Sequence, residues 1–252
     1  MLWKLWYPLL TGLTRRTPLT FLNYGYSEAS PAAGRPNLAP ADEVNRPCIQ
    51  LYNAVVRPVD LSNLRVLEVS SGHGGGASYI ARYFNPASMH GVDRNGRAIA
   101  LCRRVHNAAN LSFSRGDAMA LPFPDGSFDA VVNVEASHCY PDMPRFLTEA
   151  ARVLRPGGHL LYADFRTKDP DSATLHQQLE RSGLRIIDRE DISAHVVRGM
   201  KLNTVKYLQQ IRDVLPAFLR KPAMRFAGVE GSAIFEELKS GKTVYLRYLL
   251  QK

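Results

Sequence analysis

The chain has 252 residues, of which 45% are hydrophobic and 22% charged, and this balance excludes a disordered polypeptide. Its formal charge of +9 favours anionic partners, but the basic residues are scattered and no base-stacking motif accompanies them, so nucleic-acid binding is not predicted. The length suits one α/β domain with a modest insertion.

The first 16 residues, MLWKLWYPLLTGLTRR, are mostly apolar and contain both tryptophans of the chain. They are shorter than the ~20 apolar residues of a membrane-spanning helix and have no small-residue cleavage site. The segment is consistent with two arrangements, a lid over an apolar pocket and a surface in peripheral contact with a membrane. We assign residues 1–47 to an N-terminal lid or gating segment, in which the Pro-, Ala- and Gly-rich stretch 27–47 predicts an irregular connection.

Three cysteines, Cys48, Cys102 and Cys139, are far apart in the sequence and form no CxxC pair. They predict neither a disulfide framework nor a zinc site, and the histidines and acids have no ligand spacing, so no metal centre is predicted. Isolated cysteines are typical of a reducing compartment. We therefore expect a cytoplasmic protein, peripheral to a membrane if residues 1–16 contact one.

From residue 48 onward, buried strands and amphipathic helices alternate at short intervals. Apolar and β-branched runs predict seven strands, at 64–70, 88–93, 111–118, 128–136, 159–165, 184–191 and 243–252. The helix MPRFLTEAARVL is expected to end at the glycines of RPGG. The alternation favours a parallel sheet with helices on both faces.

A helical stretch separates the last two predicted strands. We therefore divide the chain into a core at 48–194, a helical cap insertion at 195–241 and a last core strand at 242–252. An insertion of this length in a compact domain is usually functional. We expect it to cover the carboxyl ends of the strands, where open α/β sheets bind ligands, and its apolar side chains suit a hydrophobic small-molecule acceptor.

The first strand leads directly into the glycine-rich turn EVSSGHGGGAS. Glycines at such a turn let the backbone approach a ligand closely. Asp93 ends the second strand, 21 positions after Gly72, which is the spacing of a carboxylate that accepts hydrogen bonds from ribose hydroxyls. The glycine pattern fits the dinucleotide fingerprint poorly, and Gly116-Asp117-Ala118 ends the third strand, where an adenine would lie.

The glycine-rich turn, Asp93, Gly116-Asp117-Ala118 and the segment VLRPGG together resemble the motifs of class I S-adenosylmethionine-dependent methyltransferases. This resemblance extends across nearly all of residues 50–190. WYPLL, NVEASHCYPD and RFAGVEG are similar to the mycobacterial phthiotriol/phenolphthiotriol dimycocerosates methyltransferases, and the E-x-x-H and ADF segments to natural-product sugar O-methyltransferases. The resemblance implies a seven-stranded Rossmann-like sheet with a helical lid and S-adenosyl-L-methionine as the cofactor. Residues 48–194 would be the core that binds it.

The resemblance also implies a set of cofactor-binding residues: Tyr24, Glu68, Ser70, Gly72, Gly74, Asp93, Arg94, Asp117, Ala118 and Asn133. Glu68 and the glycine turn would hold the methionine part, and Asn133 would lie near the sulfonium. Tyr24 or Tyr26 would lie over the cofactor. Ser70 departs from the family, many members of which have glycine there.

Methyl transfer to an alcohol requires a base for the hydroxyl proton, and an imidazole can take it near neutral pH. His138 follows the fourth strand and is the candidate base, and Asp164 is the candidate residue that orients it. Their separation of 26 positions is that of the similar sugar O-methyltransferases. The alternatives are a loop histidine that caps the next helix and an aspartate that caps the next segment. Glu135 is expected to support this loop.

These features predict an O-methyltransferase that acts on a hydroxyl of a polyketide, lipid or glycosylated natural product. Methylation of carbon or nitrogen on the same scaffold is the alternative within enzymes. A non-methylating, cyclase-like protein that binds the same cofactor is a further alternative, because a fold does not determine its function. A membrane-associated binding module is the third. The residues predict no oligomeric state.

Overall fold

The computed structural model describes residues 19–29 and 35–252, in which seven strands form one sheet. The strands are β1 Arg65–Val69, β2 Ser88–Asp93, β3 Leu111–Arg115, β4 Phe128–Val134, β5 Leu154–Thr167, β6 Arg185–Asp191 and β7 Thr243–Gln251. Their order across the sheet is β3-β2-β1-β4-β5-β7-β6. All seven predicted strands are therefore confirmed. Residues 1–16, for which a lid or membrane contact is predicted, lie outside the described residues.

Eight α-helices occur in the described residues. They are α1 Arg46–Val56, α2 Gly75–Tyr83, α3 Gly96–Val105, α4 Met143–Val153, α5 Asp171–Glu180, α6 Ser193–Val214, α7 Ala217–Phe226 and α8 Ala233–Ser240. Short 3-10 turns span Pro40–Asn45 and Ser137–Cys139. None of the helices in the described residues is long and apolar enough to span a bilayer.

Helices cover both faces of the sheet, because successive strand residues point to opposite faces. Val66 packs in one apolar cluster with residues of α1, α2 and α3, whereas its neighbour Leu67 packs in a second cluster with α4 and α5. Strand β5 continues the alternation, with Leu161 in the first cluster and Leu160 in the second. The two clusters hold the strands rigidly, so their carboxyl ends form a stable platform.

The prediction of a parallel sheet is wrong for one strand. Strand β7 runs antiparallel to both of its neighbours, β5 and β6, whereas β1 to β5 pair in parallel. The chain leaves β6 at the carboxyl edge of the sheet and, after three helices, enters β7 at that same edge, so β7 runs opposite to the other strands. The last strand fills the gap between β5 and β6 rather than adding an edge.

Helix α4 ends within one residue of its predicted end, but the prediction that the glycines of RPGG form this end is wrong. The helix ends at Val153, and Leu154 already has extended backbone angles and begins β5. The glycines instead lie near the start of β5, where the register of its pairing with β4 shifts. Gly157 has a φ of 76°, and a Cβ at Gly158 would lie 2.9 Å from the carbonyl oxygen of Asp129.

The insertion between β6 and β7 consists of α6, α7 and α8, and α6 anchors the segment 19–29. The side chain of Asn203 donates to the carbonyl oxygen of Tyr24 at 3.2 Å, and the Tyr207 hydroxyl donates to that of Asn23 at 3.2 Å. The backbone N–H of Ser27 also donates to the His195 carbonyl. The 22-residue helix α6 therefore holds the segment 19–29 in place, and this segment lies at the carboxyl edge of the sheet.

Candidate active site

A cavity of about 800 Å³ opens at the carboxyl ends of β1 and β4. From β1 the sheet continues to β2 and β3 on one side and to β4 and β5 on the other, so the cavity lies where the strand order reverses. Open α/β sheets bind ligands at this kind of position. The volume is within the range of roughly 300–1,000 Å³ found for cofactor and small-molecule sites.

The turn between β1 and α2 forms the floor of the cavity. Ser70 has a φ of 61°, Gly72 a φ of 54° and Gly74 a φ of 79°, so the turn passes three times through the left-handed region. Asp93 holds the turn, because its carboxylate accepts the backbone N–H of Gly72 at 2.9 Å and that of Asn95 at 2.8 Å. The predicted spacing therefore brings Asp93 against Gly72, and Ser70, Gly72 and Asp93 all line the cavity.

The remaining glycines of the turn serve a different contact. Gly75 donates its N–H to the carbonyl oxygen of Thr20 at 3.1 Å, and a Cβ at Gly75 would lie 2.6 Å from that oxygen. The His73 ring donates from Nδ1 to the carbonyl oxygen of Leu19 at 2.5 Å. These contacts seat the segment 19–23 on the N-terminus of α2. Its residues Thr20, Phe21, Leu22 and Asn23 form one wall of the cavity.

Replacing Gly76 by alanine is expected to destabilise the protein, because a Cβ there would overlap the Tyr52 ring. A Gly-to-Ala change inside a helix normally stabilises by about 1 kcal/mol. Overpacking costs about 1–3 kcal/mol. We expect this cost to exceed the gain in helix propensity, because the Tyr52 ring is itself buried. Thermal unfolding should show Tm lowered by about 5 °C. Gly96→Ala is the matched control, because a Cβ at that position would lie 3.7 Å from its nearest neighbour, and an equal loss in both variants would contradict the steric argument.

The β2 and β3 ends form the opposite side of the cavity. Arg94, Asp117 and Ala118 line it as the resemblance implies. Asp117 is exposed and accepts the Met119 N–H at 3.0 Å, which orients its carboxylate. Exposed Arg115 also lines this side. The arrangement can present a carboxylate and a backbone edge to an adenine ring.

Four of the predicted cofactor residues lie behind the cavity wall, and Tyr24 and Gly74 are the first two. Tyr24 is buried, with its ring 5.6 Å from that of Phe165 and its N–H donated to Glu135 Oε2 at 3.0 Å. Gly74 has a φ of 79° and packs below the turn, where a Cβ would lie 2.9 Å from Cys102 Sγ. Neither residue lines the cavity. Each contributes to the cavity only through the backbone conformation of its own segment.

Asn133 is also behind the wall. Its side-chain amide donates to the Val69 carbonyl at 2.9 Å and to the Tyr140 hydroxyl at 2.9 Å, and Tyr140 lines the cavity in its place. The Tyr140 hydroxyl also exchanges a 2.6 Å hydrogen bond with the Ser70 hydroxyl. The Ser70 side chain therefore ties the β1 turn to the loop after β4.

Glu68 lies behind Tyr52, whose hydroxyl donates to Glu68 Oε1 at 2.6 Å. Burial raises the pKa of Glu68 to about 8. Within the described residues, Glu68 Oε2, the hydroxyl of Ser71 and Asn133 Oδ1 are the buried side-chain polar atoms without a hydrogen-bond partner. Such orphans are rare in native proteins, and a bound ligand is one way to satisfy them. A carboxylate oxygen and a hydroxyl beside a glycine turn fit the ammonium and carboxylate of the predicted cofactor's methionine part.

His138 and Asp164 are brought together as predicted. His138 Nδ1 lies 2.9 Å from Asp164 Oδ1, and the His138 backbone N–H donates to Asp164 Oδ2 at 2.8 Å. Asp164 is fully buried on β5, whereas the imidazole lines the cavity from the 3-10 turn after β4. Because Nδ1 faces the carboxylate, Nε2 is the ring nitrogen that can exchange a proton with an acceptor.

The pair is strongly polarised. Burial alone would lower the pKa of His138, but the Asp164 carboxylate outweighs it and raises that pKa to about 10. Burial alone would raise the pKa of Asp164, but the imidazole and the hydrogen bonds to its oxygens hold it well below its usual range. With these neighbours alone, the two side chains form an ion pair at neutral pH.

Glu135 connects this loop to the segment 19–29. It follows β4 with a φ of 51°, and its Oε2 accepts the Tyr24 N–H and the Tyr245 hydroxyl, each at 3.0 Å. Burial raises the pKa of Glu135 to about 8. A non-glycine residue with positive φ is often found at a functional site, where the surrounding contacts hold it in place.

The residues that sequence reasoning missed are Ser71, Tyr52 and Tyr140. Tyr52 lies on α1, and no local motif connects it with the β1 turn. Tyr140 follows His138 and could have been noted as part of the same loop.

Among the described residues, no group of three or more His, Cys, Asp or Glu side chains is placed to hold a metal ion.

Residues 67–162 match the protein family described as a methyltransferase domain. Over 252 residues the chain is 44% identical to a phthiotriol/phenolphthiotriol dimycocerosates methyltransferase of Mycobacterium leprae, covering 99% of this chain and 92% of the relative. Over 249 residues it is 45% identical to a fatty-acid O-methyltransferase of Mycolicibacterium smegmatis, covering 99% and 89%. The crystal structure of the cyclase SpnF is similar in fold, with a TM-score of 0.74, 22% identity and coverage of 97% and 91%.

Proposed function

Since the chain belongs to the class I S-adenosylmethionine-dependent methyltransferases, we propose that it methylates a hydroxyl group of a lipid-like acceptor, with His138 as the general base. The names of the two mycobacterial relatives support a lipid as the acceptor class. The observation that carries the proposal is the 2.9 Å contact between His138 Nδ1 and Asp164 Oδ1 at the cavity wall.

When bound, the cofactor supplies an electrophilic methyl group on a positively charged sulfur. Glu68, Ser71 and the β1 turn would hold its methionine part, and Asp93, Asp117 and Ala118 its nucleoside. A cation in the same cavity disfavours a second positive charge on His138, so the pKa of the imidazole falls below the value that the protein groups alone give it. His138 Nε2 can then take the hydroxyl proton while Asp164 orients the ring and stabilises the imidazolium.

A fatty-acid carboxylate is a second candidate acceptor, favoured by the name of the M. smegmatis relative and by the raised pKa of His138. A carboxylate has no proton to lose, and an imidazolium would bind it as a counter-ion. The two candidates differ in the sign of their pH dependence. Methylation of an alcohol should rise with pH as His138 loses its proton, whereas methylation of a carboxylate should fall.

The test is incubation of the full chain with a deuterated methyl donor and a matched pair of acceptors, a long-chain secondary alcohol and a fatty acid of equal length. Mass spectrometry should show one labelled methyl group on the alcohol oxygen. Transfer to the fatty acid alone would replace the first proposal with the second. An amine-bearing acceptor is included as a third compound. Label on a carbon or nitrogen atom of that compound would contradict both proposals.

Replacing Asp164 by asparagine is expected to move the acid limb of the pH–rate profile to lower pH. The carboxylate raises the pKa of His138, so its neutral replacement lets burial lower that pKa and the base form persists to lower pH. Maximal turnover should still fall by at least about tenfold, because the amide cannot stabilise the imidazolium. An acid limb that stays in place would show that another group titrates. Asp188→Asn, at an exposed site paired with Arg247, is the matched control.

A further inference from the structure

Arg166 lies close to the candidate catalytic pair without lining the cavity. It is near the end of β5, two positions after Asp164, and its side chain is only 14% exposed. One guanidinium nitrogen lies 3.2 Å from Asp164 Oδ2, and the other donates to the Ser137 hydroxyl at 2.7 Å and to the Tyr162 hydroxyl at 3.2 Å. A buried guanidinium held by this many acceptors has one fixed position.

Asp164 therefore lies between two cations. Its Oδ1 faces the His138 ring and accepts the Phe165 N–H at 2.9 Å. Its Oδ2 faces Arg166 and accepts the hydroxyl of Ser137 at 2.6 Å. A carboxylate that had only the imidazole as a partner would hold the imidazolium much more tightly, because opposite charges in a buried site stabilise each other strongly.

We propose that Arg166 is a positioning residue that keeps the His138 imidazole able to release its proton, because the guanidinium shares the charge of Asp164 and repels a positive charge on the ring. The inference rests on the proposed function of His138 as the base. Without Arg166 the imidazolium would be the sole cation beside Asp164, and the ring would remain protonated over a wider pH range. Arg166 touches neither the cavity nor the reacting atoms.

The other groups around the pair do not supply this effect. From the loop after β4, Glu135 and Cys139 interact with His138, and neither side chain can carry a positive charge. From β5, the Tyr162 hydroxyl bonds to Ser137 and Arg166, and its pKa is raised by burial, so it stays neutral. From β7, Tyr245 donates to Glu135 and is neutral for the same reason. Among these groups of the described chain, Arg166 is the cation that opposes protonation of His138.

The test is to measure the pKa of the His138 ring by nitrogen-15 NMR titration in the full chain with S-adenosylhomocysteine bound, in wild type, Arg166→Gln and Arg166→Lys. The His138 signal is assigned by its absence in His138→Gln. We expect the pKa to rise by about one unit in Arg166→Gln and to stay near wild type in Arg166→Lys. The acid limb of the pH–rate profile should move upward by the same amount, which is about a tenfold loss of turnover below it.

A pKa that is unchanged or lower in Arg166→Gln would overturn the inference, since a purely structural arginine would loosen Asp164 and release the ring from its charge. Binding of S-adenosylhomocysteine by calorimetry shows which variants keep a folded site. If the glutamine variant does not fold, a lysine variant with its pKa shifted upward by about one unit also overturns the inference, because Lys retains the charge. The titration needs no acceptor, so it stays informative even if methylation of an alcohol is not observed.

Discussion

Replacing His138 by asparagine is expected to lower the turnover number for an alcohol acceptor by about 10²–10⁴-fold. The hydroxyl proton would have no acceptor at the position that the imidazole occupies, 2.9 Å from Asp164. Affinity for S-adenosylhomocysteine should change little, because the groups that we assign to the cofactor lie on the β1, β2 and β3 ends. Steady-state kinetics with a secondary alcohol, together with calorimetry, measures both quantities in one preparation.

His176→Asn provides the matched control for this variant. His176 lies on α5 and pairs with Glu180 at 3.3 Å, away from the residues that line the cavity. Turnover of the control should equal that of wild type. An alcohol that is still methylated at the wild-type rate by His138→Asn would contradict the assignment of the base. A loss of cofactor binding would instead assign His138 to the cofactor site.

Replacing Asp93 by alanine is expected to weaken the binding of S-adenosylhomocysteine by about a hundredfold. The carboxylate accepts the N–H groups of Gly72 and Asn95, at 2.9 Å and 2.8 Å, so its removal frees the turn that forms the cavity floor. It also removes the acceptor expected for the ribose. A hydrogen bond to a charged group contributes about 1.5–3 kcal/mol, which corresponds to a factor of about ten to a hundred for each bond that is lost.

Asp125→Ala is the comparison for this second variant. Asp125 is 80% exposed, pairs with Arg152 and does not line the cavity. Its loss should therefore leave the Kd for S-adenosylhomocysteine near wild type. Isothermal titration calorimetry at one ionic strength measures the ratio directly. A Kd in Asp93→Ala within about threefold of wild type would mean that neither the turn nor the ribose depends on this carboxylate. Circular dichroism checks that the variant remains folded.

Much of the fold could be predicted because its determinants are local in the chain. The bounds of β2 are those predicted from its apolar run, and the other strands differ mainly at their ends. The contact of Asp93 with Gly72 follows from two neighbouring parallel strands whose carboxyl ends meet at one edge of the sheet. The meeting of His138 with Asp164 has the same origin, since β4 and β5 are adjacent and parallel.

Other features depend on which elements meet in three dimensions, which a single sequence does not state. Strand β7 has the apolar pattern of any buried strand, and only the edge at which the chain enters it decides that it is antiparallel. Tyr52 becomes part of the cavity because Gly76 leaves room for its ring, and Tyr140 lines the cavity beside Asn133, whose amide donates to the Tyr140 hydroxyl. Arg166 has no motif of its own.

The sequence by itself therefore determined the strands and the glycine turn, because periodicity along the chain encodes them, and its motifs predicted the contacts of Asp93 with Gly72 and of His138 with Asp164. The tertiary structure decided which side chains face the cavity and which lie one layer behind it. It also decided the charges that surround His138. The physical reason is that orientation and electrostatic environment depend on distances between residues remote in the chain, and packing of the whole domain sets those distances.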